Sequence, residues 1–210
     1  IYNQIHSGEI VMKLDEKDIM PPDYQGWNWD SEVFEQFVNE TQANTVIECG
    51  TWKGMSAMKL HKALQKLNKP FQLVCVDTWL GGIEHMDDMA WKGLMPKKYG
   101  YPQLYFQFLS NMHHAGCLEN LLPIPNSTIN AARWLKNKKM MAALIYIDAS
   151  HETPDVYYDI KEYWDLLLPN GILFGDDYYY APVSSCLNRF CKENNLQFEV
   201  LKNFWVLRKN

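Results

Sequence analysis

The sequence has no apolar stretch of membrane-spanning length, no block of lysine and arginine, and no C-x-x-C pair. The first absence excludes a membrane-spanning helix. The second disfavours a nucleic-acid partner, and a formal net charge of −5 points the same way. A small polar or uncharged substrate is easier to accommodate. Cysteine is scarce and odd in number, at Cys49, Cys75, Cys117, Cys186 and Cys191. That pattern fits reduced, buried thiols and a cytoplasmic location better than a disulfide framework. No repeat, low-complexity tract or linker interrupts the 210 residues, so a single domain is expected.

Two nucleotide fingerprints are also missing. The first strand–turn–helix reads Val46-Ile47-Glu48-Cys49-Gly50-Thr51-Trp52-Lys53-Gly54. This is neither G-x-G-x-x-G nor G-x-x-x-x-G-K-[ST], so a dinucleotide or a triphosphate is disfavoured. The spacing is E-x-G-x-x-x-G. The glycines allow a sharp turn and close approach to a ligand. Glu48 ends the strand where a phosphate site would exclude negative charge, and it suits an ammonium or sulfonium.

What is present is a β-α-β-α rhythm. An N-terminal helix carries Val33, Phe34, Phe37 and Val38 on one face, with Asp30 or Ser31 as its cap. Strands are expected at Thr45–Glu48, Gln72–Val76, Leu121–Ile124, Ala142–Ile147 and Gly171–Gly175. Helices are expected after the glycine turn, over about 103–115, through Ala131 to Leu135, from Pro154 to about Leu167, and near 183–194. Gln197–Leu201 and Phe204–Leu207 read as a hairpin around Lys202-Asn203. Residues 78–102 form a long insertion of the kind that serves as a lid or binding segment. The fold class is therefore α/β, a doubly wound sheet closing on an antiparallel pair.

Ligands of such sheets sit beyond the carboxyl ends of the strands. Three acids fall there in the second half of the chain: Asp148 after one apolar run, and Asp176-Asp177 after the next. His151 follows Asp148 by three residues. Three carboxylates and an imidazole at one rim offer a place for a hard cation and a general base. Asp77, at the end of the second strand, can accept hydrogen bonds from ribose hydroxyls.

Glu48-x-Gly50-x-x-x-Gly54, Asp77 and the closing hairpin resemble the class I S-adenosylmethionine-dependent methyltransferases over residues 30–208. The resemblance implies a Rossmann-like seven-stranded sheet and S-adenosyl-L-methionine as cofactor. It places Glu48, Gly50, Thr51 and Gly54 against the methionine part, Asp77 on the ribose, and Asn126-Ser127 near the adenine. Thr78 and Trp79 fall beside them, with Trp79 suited to stacking.

Asp148-Ala149-Ser150-His151 with Asp176-Asp177 narrows the resemblance to metal-dependent O-methyltransferases acting on sugar hydroxyls. This implies Asp148, Asp176 and Asp177 as ligands of Mg²⁺ or Mn²⁺, with Asp148 also near the cofactor, and His151 as base. The acceptor is then a sugar in a glycan, a deoxysugar such as rhamnose. Tyr178-Tyr179-Tyr180, Trp91, Tyr99, Tyr101, Tyr24, Trp27, Trp29 and His85 are candidates to face it. His113 and His114 read as solvated or packing residues.

The pattern further resembles the methyltransferase domain of chlorovirus multidomain glycan-synthesising proteins. With Ile1 in place of an initiator Met, the expectation is a domain cut from a longer chain, carrying upstream glycosyltransferase-type domains and working in a host cytoplasm. Residues 1–29 are then an N-terminal segment or lid, and 30–210 the catalytic domain. The alternatives are a catechol-type enzyme, which commonly uses a lysine base, and a non-catalytic cofactor-binding module.

Overall fold

The computed structural model of the chain describes residues 14–26, 31–86 and 93–210. Strands β1 (Thr45–Cys49), β2 (Gln72–Asp77), β5 (Leu121–Pro125), β6 (Ala142–Ile147) and β7 (Leu167–Gly175) join with β8 (Glu199–Leu201) and β9 (Phe204–Arg208) in one sheet. Its order is β5-β2-β1-β6-β7-β9-β8. The first five strands are parallel, β9 runs antiparallel to β7, and β8 pairs antiparallel with β9. The expected seven-stranded doubly wound sheet with its closing hairpin is what the chain forms.

The strands read as continuous apolar runs because both sheet faces are covered. In register, Val46 aligns with Leu73 and Leu144, while Ile47 aligns with Val74 and Ile145. The first set belongs to one core and the second to the other. Successive side chains point to opposite faces, so neighbouring residues serve opposite cores. Helices α1 (Ser31–Thr41), α2 (Met55–Lys66) and α3 (Leu104–His114) supply residues to the first core. Helices α4 (Thr128–Asn137), α5 (Asp155–Trp164) and α6 (Ala181–Asn194) supply the second. Phe34 and Phe37 on α1 meet Tyr146 and Phe174 edge-on, at centroid distances of 5.1 and 4.9 Å.

Two expectations shift. The helix expected to reach Leu167 stops at Trp164, because Leu166 and Leu167 are drawn into the sheet. The Leu166 carbonyl accepts the Ala142 N–H at 3.0 Å, and Leu167 pairs with Ala142 before a register break. The insertion at 78–102 is not structureless in its described part. It holds a 3₁₀ turn at Ile83–His85 and a two-residue ladder of β3 (Lys97–Lys98) with β4 (Tyr101–Pro102). Asp30, Trp27, Trp29 and Trp91 lie outside the described residues.

Candidate active site

A cavity of about 1030 Å³ opens along the carboxyl ends of the parallel strands. The strand order dictates what meets there. Beyond β5 lie Asn126, Ser127 and Thr128; beyond β2, Asp77 and Thr78; beyond β1, Gly50, Thr51 and Trp52; beyond β6, Asp148 to His151; beyond β7, Asp176, Asp177 and Tyr180.

The glycine turn after β1 is fixed by backbone approach. Gly50 sits at φ +80°, and a Cβ there would fall 1.8 Å from the Asp148 carbonyl oxygen. The Asp148 N–H donates to Cys49 O at 2.8 Å, so the turn and the start of the acidic loop are locked together. Gly54, at φ +89°, faces away from the cavity; a Cβ would meet the Phe108 ring at 2.8 Å. It serves the packing of α2 on α3 and is outside the cavity lining.

Asp77 lines the cavity, yet its carboxylate holds the turn. Oδ2 accepts the N–H groups of Thr51 and Trp52 at 2.9 and 2.8 Å, and Oδ1 accepts that of Trp79 at 2.7 Å. Burial raises its pKa, and these backbone donors pull it down. A carboxylate has about four acceptor positions, so at most one ligand hydroxyl can be met there, not two.

Glu48 is fully buried and off the lining. Its carboxyl accepts hydrogen bonds from the Ser56 hydroxyl and, at 3.6 Å, from the Cys75 thiol. Burial pushes it up to about 8, with the charges of Asp148 and Asp77 adding to the rise. Ser56, which does line the cavity, stands between Glu48 and any ligand. Trp79 also departs from expectation. It is 2% exposed, donates Nε1–H to the Trp52 carbonyl at 2.9 Å and packs on Phe108 and Tyr105. Its face is spent on the core and offers no stacking surface.

At the other end, Asp148, His151 and Asp177 each bring one ligand atom into a group spanning no more than 4.8 Å. His151 Nε2 lies 3.0 Å from Asp177 Oδ2 and 3.5 Å from Asp148 Oδ1. This buried nitrogen faces two carboxylates at ion-pair distance. The hydrogen-bonding reach of Asp148 and then Asp177 raises His151 to about 10, against the opposing effect of burial. His151 in turn holds Asp177 below its ordinary range. Asp148 Oδ2 accepts the Tyr146 hydroxyl at 2.9 Å, which fixes its orientation.

Asp176, expected as a third ligand, is outside this group of atoms. Its Oδ1 accepts Asn203 Nδ2 at 2.6 Å and the Asp177 N–H at 2.8 Å. Burial and the nearby Asp148 charge raise it to about 6. The Asp148 and Asp177 carboxylates, brought together beside the imidazole, fit a divalent cation of the Mg²⁺ or Mn²⁺ kind and leave His151 for proton transfer.

Several lining residues escaped the sequence. Asn203 sits at the rim because β9 runs antiparallel to β7, which brings the β8–β9 turn to the carboxyl end of β7. That topology was the available signal. Gln25 and Gly26 form a wall from the N-terminal segment. Gln25 accepts the Trp52 indole N–H at 2.8 Å. The segment is clamped by Asn111, whose amide donates to the carbonyls of Asp23 and Lys53 at 2.6 and 2.8 Å. The buried Lys53 ammonium pairs with Asp23 at 2.6 Å. Such long-range clamps leave no local pattern. Of the acceptor candidates, Tyr180 and His85 line the cavity, His85 stacked on Trp52 at 4.5 Å; Tyr24, Tyr99, Tyr101, Tyr178 and Tyr179 do not. His113 and His114 lie on α3, off the lining.

A family model described as "Methyltransferase domain" matches residues 47–178. No curated protein sequence matches the chain. Among solved structures, an O-methyltransferase from Bacillus cereus in complex with SAH shares 14% identity at TM-score 0.61, over 99% of this chain and 88% of that one. TomG from Streptomyces achromogenes, an O-methyltransferase of tomaymycin synthesis in complex with SAM, shares 14% at TM-score 0.62, over 100% and 96%. A TDP-rhamnose 3'-O-methyltransferase of calicheamicin biosynthesis shares 13% at TM-score 0.60, over 85% and 78%. At these identities the structural likeness carries the fold.

Proposed function

Because this chain belongs to the methyltransferase domain family matched over most of its length, we propose that it is an S-adenosylmethionine-dependent O-methyltransferase acting on a sugar hydroxyl. The observation that carries the reading is the convergence of Asp148, His151 and Asp177 at one end of the strand-end cavity. The structural neighbours that bind SAM or SAH, and the one acting on TDP-rhamnose, support it by analogy of fold.

A sugar hydroxyl is a poor nucleophile at neutral pH because it holds its proton tightly. A divalent cation held by Asp148 and Asp177, with His151 at hand, would lower that hydroxyl's pKa and fix its oxygen. The chain's own residues do the rest. Tyr146 holds the Asp148 carboxylate in place. While both carboxylates act on it, His151 keeps its proton up to about pH 10. A cation held by those carboxylates would take up their charge and so relieve that shift. The imidazole then returns toward its ordinary range near 6.5, where it accepts the hydroxyl proton. The hydroxyl oxygen forms its bond to the methyl carbon as the sulfur–carbon bond breaks, its electron pair staying on sulfur. Gly50, with no side chain, permits the acidic loop to lie against the glycine turn, so donor and acceptor share one space.

Charge favours a neutral acceptor. Among the described residues no lysine or arginine lines the cavity, whereas Asp77, Asp148, Glu152, Asp155, Asp159, Asp176 and Asp177 do. A nucleotide-linked sugar would bring phosphates into this field. The same lack of lysine disfavours the catechol-type reading. Residues 30–210 are then one catalytic domain, with the preceding segment contributing a wall.

The test is a methyl-transfer screen over neutral rhamnosides, nucleotide-linked rhamnose and catechol, with Mg²⁺ or Mn²⁺ and with EDTA. We expect transfer to the neutral glycosides alone, abolished by EDTA and restored by the metal, with product NMR giving the position. Full activity in EDTA removes the cation; transfer to catechol and not to sugars removes the acceptor class.

A further inference from the structure

The two ends of the cavity lie far apart along the rim. From β6, beside the acidic group, to β5 is three steps across the sheet, roughly 14 Å at about 4.8 Å per step. The sulfonium must work at the acidic end, so the nucleobase of the proposed cofactor belongs toward β5. Asn126 and Ser127 stand there, but their acceptors are already engaged. Asn126 Oδ1 takes the Ser127 N–H at 2.9 Å and Asn130 Nδ2 at 3.2 Å, and the Ser127 hydroxyl oxygen takes the Asn130 N–H at 3.3 Å. They cap α4.

Asp159, on α5, faces the same end. It is 2% exposed and nevertheless lines the cavity. Its Oδ1 accepts the Thr128 hydroxyl, and its Oδ2 makes no hydrogen bond among the described residues. Tyr163 donates to the Thr128 carbonyl at 3.0 Å, which steadies Thr128 and therefore the Asp159 carboxyl. A carboxyl held through one oxygen by Thr128, with the other open to the cavity, is placed to accept from a ligand donor there.

We propose that Asp159 recognises the exocyclic amino group of the cofactor's adenine and sets the nucleobase specificity of the site. This rests on the reading of the cavity as an S-adenosylmethionine site. Burial pushes the carboxyl up to about 7, the state of a group short of donors. An amino group at Oδ2 supplies one and favours the carboxylate. Thr128 makes the recognition directional, because it always claims the same oxygen.

The experiment is calorimetric binding of S-adenosylhomocysteine and S-inosylhomocysteine, which differ in an amino group against a carbonyl at the same ring position. Wild type is expected to bind the adenosyl compound roughly 10- to 100-fold more tightly, the range of one charge-assisted hydrogen bond. In Asp159→Asn the Thr128 hydroxyl retains the amide oxygen, so the amide nitrogen faces the base. It then donates to the inosyl carbonyl and opposes the adenosyl amine, and the preference falls to none or reverses. Equal binding of the two compounds by wild type overturns the proposal without any variant. So does an Asp159→Asn protein, shown folded by its melting curve, that keeps the wild-type preference. Binding of neither compound by wild type overturns the cofactor reading itself.

Discussion

Asp77 and Asp148 occupy equivalent places, one at the end of β2 and the other just beyond β6, and they do different work. Asp77 accepts three backbone N–H groups and holds the glycine turn in shape. Asp148 accepts one tyrosine hydroxyl and otherwise faces an imidazole. The difference follows from the neighbours. The glycine turn crosses over the end of β2, so its amides need an acceptor there. The loop after β6 runs along the cavity from Asp148 to His151 and passes no backbone donors over the carboxylate, so Asp148 faces the cavity and the imidazole. A strand-end acid becomes scaffold or reactive group according to which backbone donors pass over it.

The strongest way to break this comparison is to change the reactive end. His151→Ala should lower turnover by roughly 10²- to 10⁴-fold, the usual contribution of a general base. Asp148→Asn should fall at least as far, because it removes a cation ligand and the imidazole's partner together. Binding of S-adenosylhomocysteine by His151→Ala should persist. A large drop in melting temperature with turnover retained would make Asp148 a second scaffold acid and erase the distinction.

The fold was legible because its information is local. Val46-Ile47, Val74-Cys75-Val76 and Ala142 to Ile147 are apolar on both faces, which only a doubly covered parallel strand requires. The two-residue turn at Lys202-Asn203 announced the hairpin. Asp148 and His151 were legible for the same reason, their spacing being short. What was not legible depends on partners distant in sequence. Trp79 looked available for stacking until α3 placed Phe108 beneath it. Gly54 looked like a ligand contact, but its missing Cβ serves the same Phe108. Asp176 and Asp177 share the amide of Asn203, and only the contact of Asp177 with His151 tells them apart. Asp159 carried no motif, and only the meeting of α5 with the start of α4 brings it to the cavity.

Glu48 sharpens the comparison, as a strand-end acid with neither backbone donors nor an open face. Its folded pKa, about 8, lies above its ordinary 4.5, so the folded state holds an extra proton between those values. The stability attributable to that protonated carboxyl is fully present below pH 4.5 and is lost as pH rises through about 8. Glu48→Gln keeps an acceptor for Ser56 and cannot ionise. Its melting temperature should match wild type near pH 5 and exceed it near pH 9, where the stability gap is on the order of a few kcal/mol. Equal melting temperatures at both pH values would mean that Glu48 is ionised in the fold and paired with a donor, as Asp77 is.

The smallest expected effect is the most discriminating for Asp77. In Asp77→Asn one oxygen becomes an NH₂, and whichever way the amide turns, it meets at least one backbone N–H from Thr51, Trp52 or Trp79. Leaving one such donor unpaired costs about 1–3 kcal/mol, read as a lowered unfolding midpoint in urea at unchanged slope. A scaffold role alone would stop there, with S-adenosylhomocysteine affinity reduced only as far as the turn loosens. A ribose contact adds a second loss, because the hydroxyl that used the remaining acceptor position finds a donor. Asp77→Glu separates the two. Its longer stem displaces the carboxylate from the turn but keeps acceptors on both oxygens, so stability should fall as in Asp77→Asn. A ribose hydroxyl could still be met, and affinity would fall less. If affinity falls equally in both variants while stability holds, Asp77 is a ligand residue first, and the contrast with Asp148 narrows to what each one binds.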